Sequence, residues 1–400
     1  MKTWNYYKNI RINYGFIALK NLNVTQGIWM IYLVSRGFSL FEVGLLEGIF
    51  HVTSFLMETP TGVVADLYGR KTSRTIGILF SILSAILIIS SGGFLGIALG
   101  FMASALSYNF ESGAGDALVY DSLLLEKRED EYMKVAGKLE VIMQLAMVVS
   151  LLVGGAIGNF SYVNTYFLSI ALSAGALILV MFFKEPKVAS LEQEKKQVKV
   201  IEAMMTQYKD CYAIVKGNNK LVYLIAFFST IGTFVTLSFY YLQIKWQIQG
   251  FTTGQIGMFL ALSCICGAVG GLVATKIDKK FGEKAVLLYM PLLVMAAIPL
   301  FYFVKVSIIA FAVVSFVESI LYVTTRDYIN KLIPSEKRAT ILSFESTIFS
   351  LFMITLFPAF GLVSDHIGIS NAFLLLGGIL VVLNIRNIFY WKGNQKEQLV

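Results

Sequence analysis

The sequence predicts an all-α polytopic membrane protein of twelve transmembrane helices in two pseudo-symmetric six-helix bundles. Three observations predict it: charge is scarce, uncharged runs recur at membrane-spanning length, and one charged stretch divides the chain near its middle. Of 400 residues, 56% are hydrophobic and 14% charged, and the mean hydropathy is +0.70, whereas soluble domains carry about 25% charge. A balance this apolar excludes most soluble enzymes. The three cysteines, Cys211, Cys264 and Cys266, exclude a disulfide framework and a zinc finger.

Stretches poor in charge give approximate spans at 14–34, 40–64, 75–91, 94–119, 137–158, 161–183, 220–244, 253–275, 285–304, 306–325, 339–363 and 368–390. Residues 75–110 and 141–183 are wholly uncharged, which no soluble fold requires and a bilayer does. Turns fall within them at Ser90-Ser91-Gly92-Gly93 and Gly158-Asn159-Phe160-Ser161. Residues 184–219 form a cytoplasmic linker between an N-terminal bundle (1–183) and a C-terminal bundle (220–400). Val198, Ile201, Met205, Tyr208, Tyr212 and Val215 recur there at helical spacing, a pattern shared by an amphipathic surface helix and by a tether with chance periodicity.

Lysine and arginine set the orientation. With the N-terminus inside, 29 of the 33 cations fall in cytoplasmic segments, and only Arg36, Lys245, Lys305 and the intrahelical Lys20 do not. Both termini are therefore expected in the cytoplasm of a cell that carries the protein in its plasma membrane, and the net +8 reflects topology, with no nucleic-acid partner required. Trp4, Trp29, Trp246 and Trp391 fall near span ends, where indole favours the interface. Lys20 and Asn21 interrupt what would be the apolar region of a cleavable signal.

The two halves share landmarks. Glu111, Asp121 and Glu140 recur as Glu318, Asp327 and Glu345 with offsets of 207, 206 and 205 residues. Acids within spans are rare enough for this register to read as an internal repeat, the common plan of secondary transporters.

A further landmark lies between the second and third spans, where Gly62-Val63-Val64-Ala65-Asp66-Leu67-Tyr68-Gly69-Arg70-Lys71 matches GxxxDxxGRK at every fixed position. This resembles the signature loop of the major facilitator superfamily. The resemblance implies that Asp66 meets the start of helix 11 and that Arg70 pairs with Asp121, closing a cytoplasmic gate. The second-half loop Thr275–Lys284 keeps only its second glycine, Gly282, and its basic character. Glu111–Leu123 also resembles the fourth helix of bacterial members. Length, short loops and N-terminal acids resemble bacterial drug/proton antiporters, including tetracycline-type and multidrug exporters. Two departures stand against that subgroup: the fifth span keeps Gly154, Gly155 and Gly158 but has no proline, and the fourth has no arginine.

An ionisable side chain within a span costs a few kcal/mol unless it faces a cavity or a partner. Glu47, His51, Ser54 and Glu58 follow one another at helical spacing and share a face of the second span. Lys20, Asn23 and Gln26 are expected on one face of the first, and Glu140 and Gln144 stand one turn apart in the fifth. Lys20, Glu58 and Asp116 lie at similar depth, while Glu111 and Glu318 lie nearer the midplane. For Glu47, Glu58, Glu111 and Glu318 two readings stand side by side: proton carrier or cation ligand, and structural pair. His51 is a candidate proton relay beside Glu47. Asp121, Asp327, Glu140 and Glu345, near the cytoplasmic ends, suit a gating or structural role.

These features predict a monomeric secondary transporter powered by the proton gradient, without cofactor or metal, whose partners are protons, a small molecule and the bilayer. Proton-coupled efflux of small amphipathic compounds is the first expectation. Proton symport of a sugar, amino acid or anion is the second, with Lys20 binding an anionic group. A polytopic enzyme would need a nucleophile or metal set that two distant histidines do not supply, and a sensor would need a larger effector region than 36 residues.

Overall fold

The structure, a computed structural model, describes residues 5–186, 216–333 and 338–397. Its regular structure in these segments is helical. In order the helices are α1 (Tyr7–Asn21), α2 (Trp29–Ser35), α3 (Leu40–Tyr68), α4 (Arg70–Ser90), α5 (Phe94–Glu111), α6 (Ala114–Leu125), α7 (Tyr132–Gly158) and α8 (Tyr162–Met181). There follow α9 (Asn219–Ile248), α10 (Thr253–Ala297), α11 (Val304–Leu332), α12 (Arg338–Ile367) and α13 (Ile369–Glu397). Polar side chains fix several starts by accepting from otherwise orphaned N–H groups. The Ser161 hydroxyl accepts from the Asn164 amide at α8 and the Asn218 side chain from the Leu221 amide at α9. Thr252 and Gln255 close a reciprocal capping box at α10.

Among the described residues eight helical stretches are long and apolar enough to cross a membrane, and the 50-residue stretch Thr253–Tyr302 is long enough for two passes. It changes direction at Gly282, whose backbone leaves the helical region (φ 77°, ψ 162°). With α1/α2 and α5/α6 each forming one interrupted pass, the chain makes the twelve passes its sequence predicts. The apolar surface agrees, since Leu95, Phe160 and Leu272 are 80%, 90% and 81% exposed, side chains that a bilayer would cover.

The chain divides into two compact units. The first holds Met1–Trp29 and Leu46–Lys209, the second Met30–Leu45 and Asp210–Val400. Ile10, Phe16, Ile78, Leu118, Leu123 and Val180 pack the core of the first. Leu221, Leu224, Leu287, Tyr328, Ile329 and Ile341 do so in the second. The proposed amphipathic linker helix lies outside the described residues.

Several expectations change. The first span is not one helix: α1 ends at Asn21, and Leu22–Ile28 is irregular before α2 begins. Asn23 and Gln26 therefore do not share a helical face with Lys20. Asn23 instead accepts from the Thr25 hydroxyl (2.7 Å) and, through its carbonyl, from the Gln26 amide (3.1 Å). Two residues assigned to the external rim are interior. Lys245 is 1% exposed and donates to the Ser370 hydroxyl (2.5 Å) and the Tyr302 carbonyl (3.3 Å). Trp246 is fully buried, its indole N–H donating to Ser307 (2.8 Å). Each hides a long side chain because a partner waits for its polar end.

Candidate functional site

The fourth pass breaks in two. α5 ends at Glu111 and α6 starts at Ala114, with Ser112 extended and Gly113 at φ 73° between them. A positive φ costs an L-residue side chain roughly 1–2 kcal/mol, so glycine at 113 permits the break. Interrupted helices place backbone termini and charged side chains together inside a bundle, the arrangement by which secondary transporters build central sites.

The break presents Glu111 to Arg74 of α4. Arg74 is fully buried and Glu111 is 9% exposed. The Arg74 Nε lies 3.1 and 3.0 Å from the two Glu111 oxygens and its Nη2 lies 2.7 Å from Oε1, a forked ion pair. Its Nη1 donates to Asn13 Oδ1 of α1 (2.8 Å). Phe16 and Phe183 lie against the guanidinium at 4.0 and 5.1 Å. Every polar edge of the arginine is thus occupied and its faces are covered by rings, which is what a buried guanidinium demands.

Two more charges border this pair. Lys20, in the last turn of α1, and Asp116, in the first turn of α6, each interact electrostatically with both Glu111 and Arg74. The cluster thus joins two cations and two carboxylates from α1, α4 and the broken fourth pass, all within the first unit. The charge pattern had placed Arg74 in the loop beside Arg70 and Lys71. Its register is the signal that locates it: one turn above Arg70, it lies on the buried α4 face with Ser73, Gly77, Ile78 and Ser84.

On α3, the His51 Nε2 lies 3.7 Å from Glu47 Oε1, and both side chains are nearly buried. Ser54 exchanges bonds with Asn109 of α5, donating at 2.7 Å and accepting at its carbonyl at 2.6 Å. Glu58, on the same face, is exposed. The stripe is therefore divided: its first two members are nearly buried, and its last is exposed near Tyr108.

The signature loop forms a compact latch within the first unit. Arg70 pairs with Asp66 and its Nε lies 3.8 Å from Asp121 Oδ2, the partner the resemblance implies. Gly62 lies in the last turns of α3, with open space where a Cβ would stand. Glu185, absent from the sequence reading, supplies the cap: its two oxygens accept from the Arg70 amide (2.6 Å) and the Lys71 amide (2.8 Å) at the start of α4. Gly69 (φ 97°) leaves room for that carboxylate. The Lys71 ammonium donates to the Met181 and Phe183 carbonyls (2.7 and 2.9 Å) at the end of α8. The implied contact of Asp66 with the start of the eleventh span involves a segment adjoining 334–337, which lie outside the described residues.

The repeat acids meet different surroundings. Glu318 lies in the uninterrupted α11, is half-buried, and accepts from Ser319. Glu345 of α12 is 5% exposed with Arg326 at 3.8 Å. Asp327 is exposed and pairs with Lys331 one turn on (2.5 Å). Glu140 is exposed and accepts from Gln144 (2.9 Å). The second unit also holds a cavity of about 340 Å³ with Tyr223, Phe227, Pro291 and Asn384 in its wall. Among the described residues no three His, Cys, Asp or Glu side chains form a group able to hold a metal.

The sequence model described as Major Facilitator Superfamily matches residues 15–344 and again 222–398. The chain belongs to this superfamily. A relative from Bacillus subtilis (strain 168), described as an uncharacterized MFS-type transporter, YxaM, is 24% identical over 391 residues, 93% of each chain. A Na(+), Li(+), K(+)/H(+) antiporter of Planococcus maritimus is 24% identical over 376 residues, 84% of this chain and 85% of its own. Among solved structures the nucleoside transporter NupG superposes with a TM-score of 0.78 at 14% identity, covering 96% of this chain and 99% of its own. A D-xylose-proton symporter does so at 0.69 and 11%, covering 95% and 96%. At such identities the structural likeness is one of fold alone. As a major facilitator the chain is a multi-pass membrane transporter with a small-molecule substrate, and the superfamily is not an enzyme class.

Proposed function

We propose that this major facilitator is a proton-coupled exporter of small cationic, amphipathic compounds, with the Glu111–Arg74–Lys20–Asp116 cluster as its coupling centre. The observation that carries the reading is the buried forked pair beside a broken helix, bordered by one further charge of each sign. With all four groups ionised the cluster is neutral. A proton on Glu111 loosens the fork, leaves Arg74 to the field of Asp116, and adds one positive charge. Opposed charges a few ångströms apart interact by several kcal/mol at the effective dielectric of a protein. A bound proton therefore disfavours a cationic substrate, and a bound cation disfavours the proton. Mutual exclusion of this kind is what exchange requires.

Glu47 and His51 are proposed as a relay that exchanges protons with the cluster, and Glu58 as its exposed member. Asp66, Arg70, Lys71 and Asp121 are proposed to gate the pathway, with both termini in the cytoplasm and the protein in the plasma membrane as a monomer. The relative named as a cation/proton antiporter supports exchange. One observation favours a second reading. Lys20 makes no hydrogen bond or ion pair among the described residues and suits an anionic group on the solute. The same arithmetic then reverses, because a protonated cluster attracts an anion, and the transporter becomes a proton symporter.

Proteoliposomes with an imposed proton gradient separate these readings. Export predicts that tetraphenylphosphonium is driven against the proton flux. Anion or sugar uptake running with the protons, and no cation movement, overturns the export reading in favour of symport.

A further inference from the structure

The cavity in the second unit has a polar end whose bonding can be followed atom by atom. Pro291, inside α10 beyond its turn at Gly282, has no N–H to give the Leu287 carbonyl four residues back. Asn387 of α13 supplies the missing donor: its side-chain nitrogen bonds the Leu287 carbonyl (2.9 Å) and, with its other hydrogen, Asn384 Oδ1 (3.0 Å). The Asn387 oxygen accepts from the Tyr223 hydroxyl of α9. Asn387 is thereby fully used, and Asn384 is held with its oxygen toward it, since turning that amide over would set nitrogen against nitrogen. What is left over is the Asn384 side-chain nitrogen. It has two hydrogens, no acceptor among the described residues, and a place in the cavity wall, on a residue only 6% exposed.

Away from that end the cavity is apolar and long. On α9 its wall runs from Asn219 to Ile231 at steps of three and four residues, through Val222, Ala226 and Thr230. That stripe is about 18 Å long at 1.5 Å per residue, close to one leaflet's half of the roughly 30 Å hydrocarbon core. The Thr230 hydroxyl bonds back to the Ala226 carbonyl (2.7 Å), so it offers nothing to a ligand, and Ile231 and Leu380 beside it are buried. Val222 and Leu383, also in the wall, are exposed, so the slot opens on an apolar flank of the unit. At the start of α9, next to Asn219, Lys220 pairs with Glu283 (2.7 Å) while its side chain stays 41% exposed.

We propose that this slot binds a glycerophospholipid of the leaflet at the α9 start, the cytoplasmic one in the orientation proposed above, with one acyl chain lying along α9. The ester carbonyl of that chain, at the boundary between hydrocarbon and headgroup, accepts from the Asn384 nitrogen, and the phosphate lies against Lys220. Donors stand only where a phospholipid carries its acceptor oxygens, and the wall beyond them matches the chain. A bilayer offers the buried Asn384 hydrogens no water inside its hydrocarbon, whereas a resident lipid pairs them and fills the void at once. About 340 Å³ is at the small end for a ligand site and takes one chain, so the second chain stays in the bilayer. The site lies wholly in the second unit and is independent of what the transporter carries.

The test uses full-length protein in proteoliposomes that contain phosphatidylglycerol with a photoreactive diazirine at the end of one acyl chain. After illumination, peptide mass spectrometry should find label on Ile231 and Leu380, which are 5% and 2% exposed and out of reach of lipid bathing the outer surface, as well as on the exposed Leu272. Ala226→Phe, which fills the slot, should abolish label on the first two and leave Leu272 labelled. Asn384→Leu, which keeps the side-chain size and removes the donor, should lower label on Ile231 and Leu380 about tenfold, the loss of one hydrogen bond, and serves if the larger substitution does not fold. Excess tetraphenylphosphonium should leave the wild-type pattern unchanged. Label confined to Leu272, or label on Ile231 and Leu380 that survives both substitutions in folded protein, overturns the lipid site. Displacement of that label by tetraphenylphosphonium overturns it in favour of a solute site.

Discussion

Glu111 and Glu318 occupy matching places in the repeat and have become different things. Glu111 ends a broken helix and grips a buried arginine with a forked geometry. Glu318 sits in a continuous helix with a serine beside it. The difference has two sources in the sequence: Gly113, which permits the break, and Arg74, which gives the exposed helix end a counter-charge. Among the described residues neither has an equivalent around Glu318, and a buried acid with a nearby arginine in the second unit is Glu345, whose Arg326 is 38% exposed. Among the described residues the forked pair thus lies in the first unit, at a helix break that the helix of Glu318 lacks.

The largest expected effect comes from separating the fork. Arg74→Ala leaves Glu111 buried without a partner and should cost about 3–5 kcal/mol of stability, measured by unfolding in detergent. Arg326→Ala should cost less, because that guanidinium is 38% exposed and stands 3.8 Å from Glu345 in place of a forked, hydrogen-bonded pair; equal losses would erase the distinction. Next, Glu111→Gln should lower gradient-driven transport about a hundredfold, equivalent to losing about 2.7 kcal/mol of coupling. Its pH dependence should flatten as well, whereas Glu318→Gln should leave both near wild type. A smaller effect is expected from Gly113→Ala, where the positive φ costs roughly 1–2 kcal/mol. It should slow turnover more than it weakens substrate binding, and a variant that binds poorly but turns over normally would point away from the break as a moving part. The smallest belongs to Asp327→Asn, which breaks an exposed pair with Lys331 worth about 0.3–0.5 kcal/mol and should leave melting unchanged within error.

Much of this was legible in the chain. Twelve passes followed from uncharged runs, and the signature loop was readable because its fixed positions are contiguous. The Arg70–Asp121 partnership came with that resemblance and reappears at 3.8 Å. What escaped were features set by three-dimensional neighbours. Arg74 looked like a loop cation because it follows Arg70 and Lys71, and only its place on the buried face of α4 separates it from them. Glu185 lies 115 residues from the amide it caps, so no local pattern joins them. The breaks after Asn21 and Glu111 fell within the expected spans 14–34 and 94–119, because averaged hydropathy is blind to backbone geometry. Lys245 and Trp246 were misplaced for the converse reason: a rule about interfaces cannot see a partner such as Ser370 or Ser307.

Coupling is proposed to reside in the first-unit cluster and not in its repeat counterpart. It is tested most directly by measuring tetraphenylphosphonium movement against an imposed proton gradient in proteoliposomes of wild type, Glu111→Gln and Glu318→Gln, each checked for folding by its elution profile. Gradient-driven movement is expected in wild type and Glu318→Gln and should fall about a hundredfold in Glu111→Gln. Movement that persists in Glu111→Gln and is lost in Glu318→Gln would contradict it.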